Sequence, residues 1–281
     1  MRKPFAVPIT LCILLLLSAC DNPKNNNLVK IPTDAHSSAV TSSSGQIHSS
    51  SNYQTANQLE IGLTDKWHNV FEGTIGKQKI YMDIFRDGNN LTAYYIDNDS
   101  NNEHMYSGSI NEYTMTLSSS DTHETMTGNL KDLYASNIIT GEMTLNSGKI
   151  VPVNLNIDHA NAGPALKDRY GDRFNSQEVE SFVSRLKSAI LSSDKQAVSN
   201  MIQYPITVYQ NNREKAKINN AQQFVKYYSD IINKNLYDCI STAYTKFMFS
   251  NYNGVMFGSG NYNVWIQESQ NGKLSIIGIN N

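Results

Sequence analysis

The sequence predicts two domains, an all-β antiparallel barrel-like domain followed by an α+β cone, behind an export signal and a polar tether. Three observations carry this prediction. Between about Trp67 and Ile157, apolar and polar residues alternate with period two, the spacing of half-buried strands. Within that segment a glycine recurs four times between two apolar residues. After the breaker Asn161-Ala162-Gly163-Pro164 the period changes to that of an amphipathic helix.

Residues 1–19 open with Arg2 and Lys3 and run into the apolar stretch Ile9 to Leu17, the layout of a secretory signal peptide. Leu17-Ser18-Ala19-Cys20 follows at once. This tetrad resembles the lipobox of bacterial lipoproteins. The resemblance implies cleavage before Cys20, a diacylglyceryl thioether on its sulfur, and palmitate-type acyl chains held in the lipid bilayer. Two such chains anchor stably where one binds reversibly. The expected location is the cell envelope, lipid-anchored and periplasm-facing. Asp21 and Asn22 resemble the enterobacterial signal that retains a lipoprotein in the inner membrane. No other apolar run nears the roughly 18 residues that span a bilayer, so the body is expected to be water-soluble.

Cleavage leaves 262 of 281 residues, length enough for two domains. It also removes Arg2 and Lys3 from the 23 basic residues, so against 25 acidic ones the mature formal charge is −4. So mild and mixed a charge excludes nucleic acid, which needs a concentrated basic face. Cys12 leaves with the signal and Cys20 is consumed by lipid, so Cys239 stands alone and no disulfide is expected. No histidine follows His159 to generate a thiolate, and Cys239 reads as a structural thiol.

From Cys20 to about residue 63 the chain is rich in Asn, Ser and Thr. It has too little apolar surface to repay ordering, and reads as a flexible tether with an end-to-end distance of roughly 35–40 Å. His36 and His48 sit there without a second metal ligand close by. The barrel-like domain is expected over 64–157, with about eight strands. Ile80, Met82 and Ile84 share one face, Leu91, Ala93 and Tyr95 another, and Val151, Val153, Leu155 and Ile157 alternate with Pro152, Asn154 and Asn156. Turn clusters at Asp87-Gly88-Asn89-Asn90, Asp97 to Asn102, Ser118 to Asp121 and Asn146-Ser147-Gly148 separate the strands.

The glycine repeat runs Phe71-Glu72-Gly73-Thr74-Ile75, Tyr106-Ser107-Gly108-Ser109-Ile110, Met126-Thr127-Gly128-Asn129-Leu130 and Ile139-Thr140-Gly141-Glu142-Met143. First, third and fifth residues of a strand share a face, so each glycine points inward between two apolar side chains. An inward glycine lets a strand coil sharply and its neighbour come close, as a small closed sheet requires.

Residues 158–172 are the expected linker and 173–281 the second domain. Asn175 is a good N-cap with Glu178 as capping-box partner, and Val179, Phe182, Val183, Leu186 and Ile190 form one stripe. Asp194 caps a second helix carrying Ala197, Val198, Met201 and Ile202. Tyr204 to Tyr209 reads as a strand, Asn211-Asn212 as a turn, and a third helix after Asn220 carries Phe224, Tyr227, Tyr228 and Ile231. Strands are expected over Tyr244 to Phe249, Val255 to Gly260, Tyr262 to Gln267 and Leu274 to Ile279, with hairpins at Asn253-Gly254 and Asn271-Gly272. The paired helices, the Tyr204-Pro205-Ile206 entry to a strand, and the Gly254 to Gly258 and Val264-Trp265-Ile266 strands ending in Ile276 to Asn280 make this part similar to the NTF2-like (cystatin-like α+β) family. That resemblance covers roughly 173–281. It implies a cone that commonly encloses a pocket between sheet and helices, in a family that includes isomerases, dehydratases and non-catalytic binding domains, so fold alone does not settle function.

A C-terminal pocket would be lined by Tyr209, Tyr244, Tyr252, Tyr262 and Trp265, with Arg213 meeting an anion; the competing reading places most of these rings in the core. The terminal strands offer no ionisable group to move a proton, so no catalytic residue and no cofactor are expected. Asp97, Asp99 and Asn101 open like a calcium loop. Asn102 stands where that loop needs glycine, and Gly108 where it needs a bidentate glutamate, so a solvated hairpin is preferred and no metal is expected. His123 beside Ser118 to Asp121 has triad residue types without a nucleophile elbow. His68, His104 and His159 lack metal spacing and read as surface or turn residues. The function expected is a non-enzymatic binding module for another envelope or secreted protein, an immunity or inhibitor protein being one form. The alternative is a small-ligand carrier or enzyme using the C-terminal NTF2-like pocket.

Overall fold

The computed structural model describes residues 62–97, 102–163, 168–211, 213–269 and 271–281. Signal, Cys20, nearly all of the tether, and Asp99 and Asn101 of the calcium-like loop lie outside the described residues.

Strands β1 (Trp67–Ile75), β2 (Gln78–Asp87), β3 (Asn90–Asp97), β4 (His104–Asn111), β5 (Thr114–Ser118), β6 (Thr125–Asn129), β7 (Ile138–Thr144) and β8 (Ile150–Ala162) follow one another around a closed barrel. Each is antiparallel to the next, and β8 returns to pair with β1. The expected eight strands and inward faces are present, together with one helical turn, α1 (Leu133–Ser136), which the alternation did not reveal. Its buried Leu133 and Leu63 both pack into the barrel core.

The interior is filled by side chains. Phe71, Met82, Ile84, Met115, Leu117, Met126, Ile139 and Met143 are all fully buried there. The repeated glycines sit where backbones come closest. A Cβ on Gly73, Gly108 or Gly141 would lie 2.0, 1.8 or 1.9 Å from a carbonyl oxygen of the adjacent strand, inside any tolerable contact. At Gly128 the nearest atoms are instead side-chain ends of Met115 and Ile139, at 2.8 Å.

β8 runs to Ala162, five residues past the boundary read from the sequence, because Trp67 to Val70 of β1 give His159 to Ala162 their ladder partners. The outer wall of β1 to β3 is buried as well. Val70, Tyr81, Asp83 and Ile96 face away from the barrel core yet are covered, because the second half of the chain packs over them.

That half begins with α2 (Ser176–Leu191) and α3 (Lys195–Asn200). Asn175 accepts from the Glu178 amide at 3.1 Å and Asp194 from the Ala197 amide at 2.9 Å, so both caps act as their residue types dictate. β9 (Ile202–Gln210) and β10 (Arg213–Ile218) form a hairpin, followed by α4 (Ala221–Lys226), α5 (Tyr228–Ile231) and α6 (Lys234–Thr242). β11 (Ser250–Asn251), β12 (Gly254–Ser259), β13 (Tyr262–Glu268) and β14 (Leu274–Asn280) complete a mixed sheet of order β10-β9-β14-β13-β12-β11, in which only β14 and β9 are parallel. Helix stripe and sheet share one core, including Val183, Leu186, Ile190, Ile206, Phe224, Leu236, Phe257 and Ile266. The fold is thus mostly β: a closed antiparallel barrel plus a second, mixed sheet with a few helices.

Ile202 opens β9 in place of ending the second helix, the third helix divides into α4 and α5, and three further segments differ from the expectation. β10 lies in a stretch that the sequence reading assigns to no element; its exposed Arg213, Glu214, Lys215 and Lys217 show no alternation, as suits an edge strand. α6 was unassigned, although Asn233 caps it by accepting from the Leu236 amide at 2.9 Å. Tyr244 to Phe249 is irregular chain and not a strand. Phe247 adopts a left-handed φ of 54° there and buries its ring against the barrel wall with Tyr81, Val70 and Ile96. Burial of an aromatic ring outweighs the local backbone cost of about 1–3 kcal/mol.

Candidate functional site

Where barrel and sheet meet, alternation along β2 places Tyr81 and Asp83 outward, under the second half of the chain. Asp83 anchors a buried ionic cluster. The Arg169 guanidinium meets Asp83 at 3.3 Å, Glu103 at 3.0 Å and Glu180 at 3.1 Å, and lies over the rings of Tyr94 and Phe247 at 4.8 and 4.7 Å. His68 Nδ1 contacts Asp83 at 2.9 Å, and Lys246 donates to Glu103 at 2.7 Å. Burial pushes Glu103 up, but Arg169 and Lys246 outweigh it and hold this carboxyl below its ordinary range. Glu180 goes the other way: burial raises it and Arg169 compensates only in part. Asn161 clamps the same junction, donating to the Met248 carbonyl at 2.7 Å and accepting from the Ser250 amide at 2.9 Å. His68 is therefore fully buried, correcting its reading as a surface or turn residue.

Beside this cluster lies a cleft of about 700 Å³. Its barrel wall is Glu72, Tyr81, Asp158 and His159; the opposite wall includes Cys239, Tyr244, Phe249, Met256 and Tyr262. Asp158 and His159 owe their arrangement to a β-bulge. Val70 pairs with His159 and Phe71 with Ile157, so Asp158 is the extra residue of the ladder. Consecutive strand residues ordinarily point to opposite faces, and a bulge re-aims them. Asp158 here accepts from both His159 Nδ1, at 2.9 Å, and the Tyr81 hydroxyl. Those two hydrogen bonds, that of His159 first, hold the Asp158 carboxyl below its ordinary range despite partial burial. Burial, then the charge of Asp158, drives the Tyr81 phenol far above its usual range. Its ring stacks on Tyr244 at 4.5 Å, and His159 stands edge-on to Phe249 at 5.7 Å. The Nε2 atom of His159 is shielded and has no hydrogen-bond partner among the described residues.

Of the six pocket residues read from the sequence, Tyr244 and Tyr262 line this cleft. Trp265, on β13, is half-buried and edge-on to Phe249 at 6.4 Å. Tyr209 and Arg213 lie on the β9–β10 hairpin, and Tyr252, 80% exposed, tips the β11–β12 turn, so these three do not join it. Asp97 ends β3 and accepts from Gln78 at 3.0 Å. His123 occupies an exposed turn with φ 58°, and Ser120 donates to Asp121, not to His123. Cys239 is half-buried and its thiol donates to the Tyr262 carbonyl at 3.2 Å. Among the described residues no group of three or more His, Cys, Asp or Glu could hold a metal ion, and no helix is long and apolar enough to cross a membrane.

The residues that sequence reasoning missed are Glu72, Tyr81, Asp158 and His159. For Asp158 and His159 the signal was the break in alternation just after Ile157, where two polar residues fall together. Chemically, the arrangement presents acceptors and aromatic faces to a hydrogen-bond donor. Comparison with known proteins places no relative beside this geometry: no family model, curated protein or solved structure matches the chain.

Proposed function

We propose that this protein is a lipid-anchored envelope lipoprotein, held at Cys20 and facing the periplasm, that acts as a non-enzymatic binding module for another envelope or secreted protein. An immunity or inhibitor protein is one form of that role, and retention in the inner membrane follows from Asp21 and Asn22 on the same reading. The observation that supports it is the filling of both cores: side chains occupy the barrel interior and the space between helices and sheet, leaving recognition to outer surfaces. Helices α2 and α3 ahead of a sheet with α6 against it support the NTF2-like reading of the second half.

Two measurements test this. Full-length chain is expected in the membrane fraction with an acylated, processed N-terminus, and Cys20→Ser is expected in the soluble fraction. Crosslinking in intact envelopes should then recover the same protein partner repeatedly; repeated capture of nothing specific would refute the binding role. A second reading, small-ligand carriage, is favoured by the junction cleft with its converging polar groups, and not by a space inside the second half.

A further inference from the structure

The cleft carries a chemical preference that goes beyond protein binding and holds whether or not a protein partner exists. Glu72 projects into it from β1 with no ion pair or hydrogen bond to any described residue. Asp158 adds a second carboxylate. The cation nearest to hand does not cancel them, because Lys246 spends its ammonium on Glu103 at 2.7 Å. Lys187 likewise donates to the Ala243 carbonyl, at 2.7 Å, just past the C-terminus of α6. The cleft is therefore acidic in excess.

Its walls add two further features. Tyr81, Tyr244, Tyr262 and Phe249 offer π faces and edges, and an alkyl cation gains about 0.5–1 kcal/mol or more over such a face. The imidazole of His159 donates through Nδ1 to Asp158 and forms part of the same wall. Carboxylate excess and aromatic walls suit the same group, one that is positive, rich in N–H donors and carried on an apolar stem. An anion would meet Glu72 and Asp158 unfavourably, and an uncharged apolar ligand would leave Glu72 without a counter-charge.

We propose that this cleft binds an alkyl guanidinium or alkyl ammonium group, with Glu72 and Asp158 as counter-charges and Tyr244 as the stacking face. The group has two sources, a free small amine or an Arg or Lys side chain presented by another chain. Both share the chemistry, and the test separates them.

The experiment follows the His159 imidazole nitrogen and carbon-bound proton signals of the full-length protein by NMR during titration. Three probes are used: butylguanidinium, its neutral isostere butylurea, and Nα-acetyl-arginine amide. A saturable shift at His159 is expected with both guanidinium probes, with butylurea at least about tenfold weaker. Tighter binding of the acetyl-arginine amide identifies a chain-borne side chain, and tighter binding of butylguanidinium a free amine. Glu72→Gln, at an exposed position without structural partners, should fold normally and weaken the guanidinium probes by about two- to fivefold, the range of one exposed ion pair. Equal affinity for butylurea and butylguanidinium, no saturable shift at His159, or an unchanged affinity in Glu72→Gln would each overturn the proposal. None of these outcomes bears on partner capture from envelopes, so the two readings fail separately.

Discussion

Arg169→Met removes a guanidinium that ties the barrel strand β2 to helix α2. Arg169 is 8% exposed, and it leaves behind Asp83, 1% exposed, together with Glu103 and Glu180. Methionine keeps an apolar stem between the Tyr94 and Phe247 rings, so the loss is mainly that of charge. Breaking a buried pair from one side costs about 3–5 kcal/mol, a large part of the ~5–15 kcal/mol that holds a typical protein folded. Urea unfolding at pH 7 reads this directly, since Trp67 and Trp265 place one fluorophore in each half of the molecule. The midpoint should fall with little change in slope. The penalty should also depend on pH. Glu103, held below its ordinary 4.5, contributes stability that is present above pH 4.5 and lost as pH falls through its depressed value. Glu180, raised above 4.5, contributes stability that is full below pH 4.5 and lost as pH rises through its raised value. Protonated carboxyls need no counter-charge, so the variant's deficit should be greatest near neutrality and shrink toward pH 4. A loss under about 1 kcal/mol at pH 7, the worth of an exposed pair, or an equal loss at both pH values, would refute the reasoning.

Two more outcomes follow from the barrel. Gly108→Ala would set a Cβ 1.8 Å from the Thr116 carbonyl oxygen, whereas Gly128→Ala meets only the movable ends of Ile139 and Met115 at 2.8 Å. The first should therefore cost about 3 kcal/mol or more and the second about 1 kcal/mol; equal melting temperatures for the two variants would contradict this account of the repeat. Tyr81→Phe deletes one of the two donors on Asp158 and should cost about 0.5–1.5 kcal/mol. Because the lowered carboxyl of Asp158 gives stability present above its ordinary 3.8 and lost as pH falls through its depressed value, the variant should surrender part of that increment. Carboxyl NMR titration checks it: Asp158 should move upward toward 3.8, and an unmoved titration would show that Tyr81 does not tune it.

The legible parts of this fold are those where one physical signal dominates locally. Period two and inward glycines lead to a closed sheet because strand geometry leaves no other use for them. Asn175 and Asp194 lead to helices because their side chains satisfy orphan amides within three residues. What escaped is decided over long distances. α6 is the exception: its cap Asn233 and the buried pair Leu236 and Ile240, four residues apart, are a local helical signal. The apolar run at Tyr244 to Phe249 has strand-like composition, but its conformation is set by a barrel wall well over a hundred residues earlier in the chain. Asp158 and His159 fell in a supposed linker. Only the ladder register of β1 against β8 reveals the bulge that turns them to a common purpose.

Circular closure of the first eight strands has a further consequence. A ring of hydrogen-bonded backbone ends nowhere, so among the described residues only the second sheet has terminal strands to offer a stranger. One of its margins carries Arg213, Glu214, Lys215 and Lys217, and the other is two residues long. Neither can template extended chain onto itself at length, so crowding many copies together should not seed fibrils from the native state.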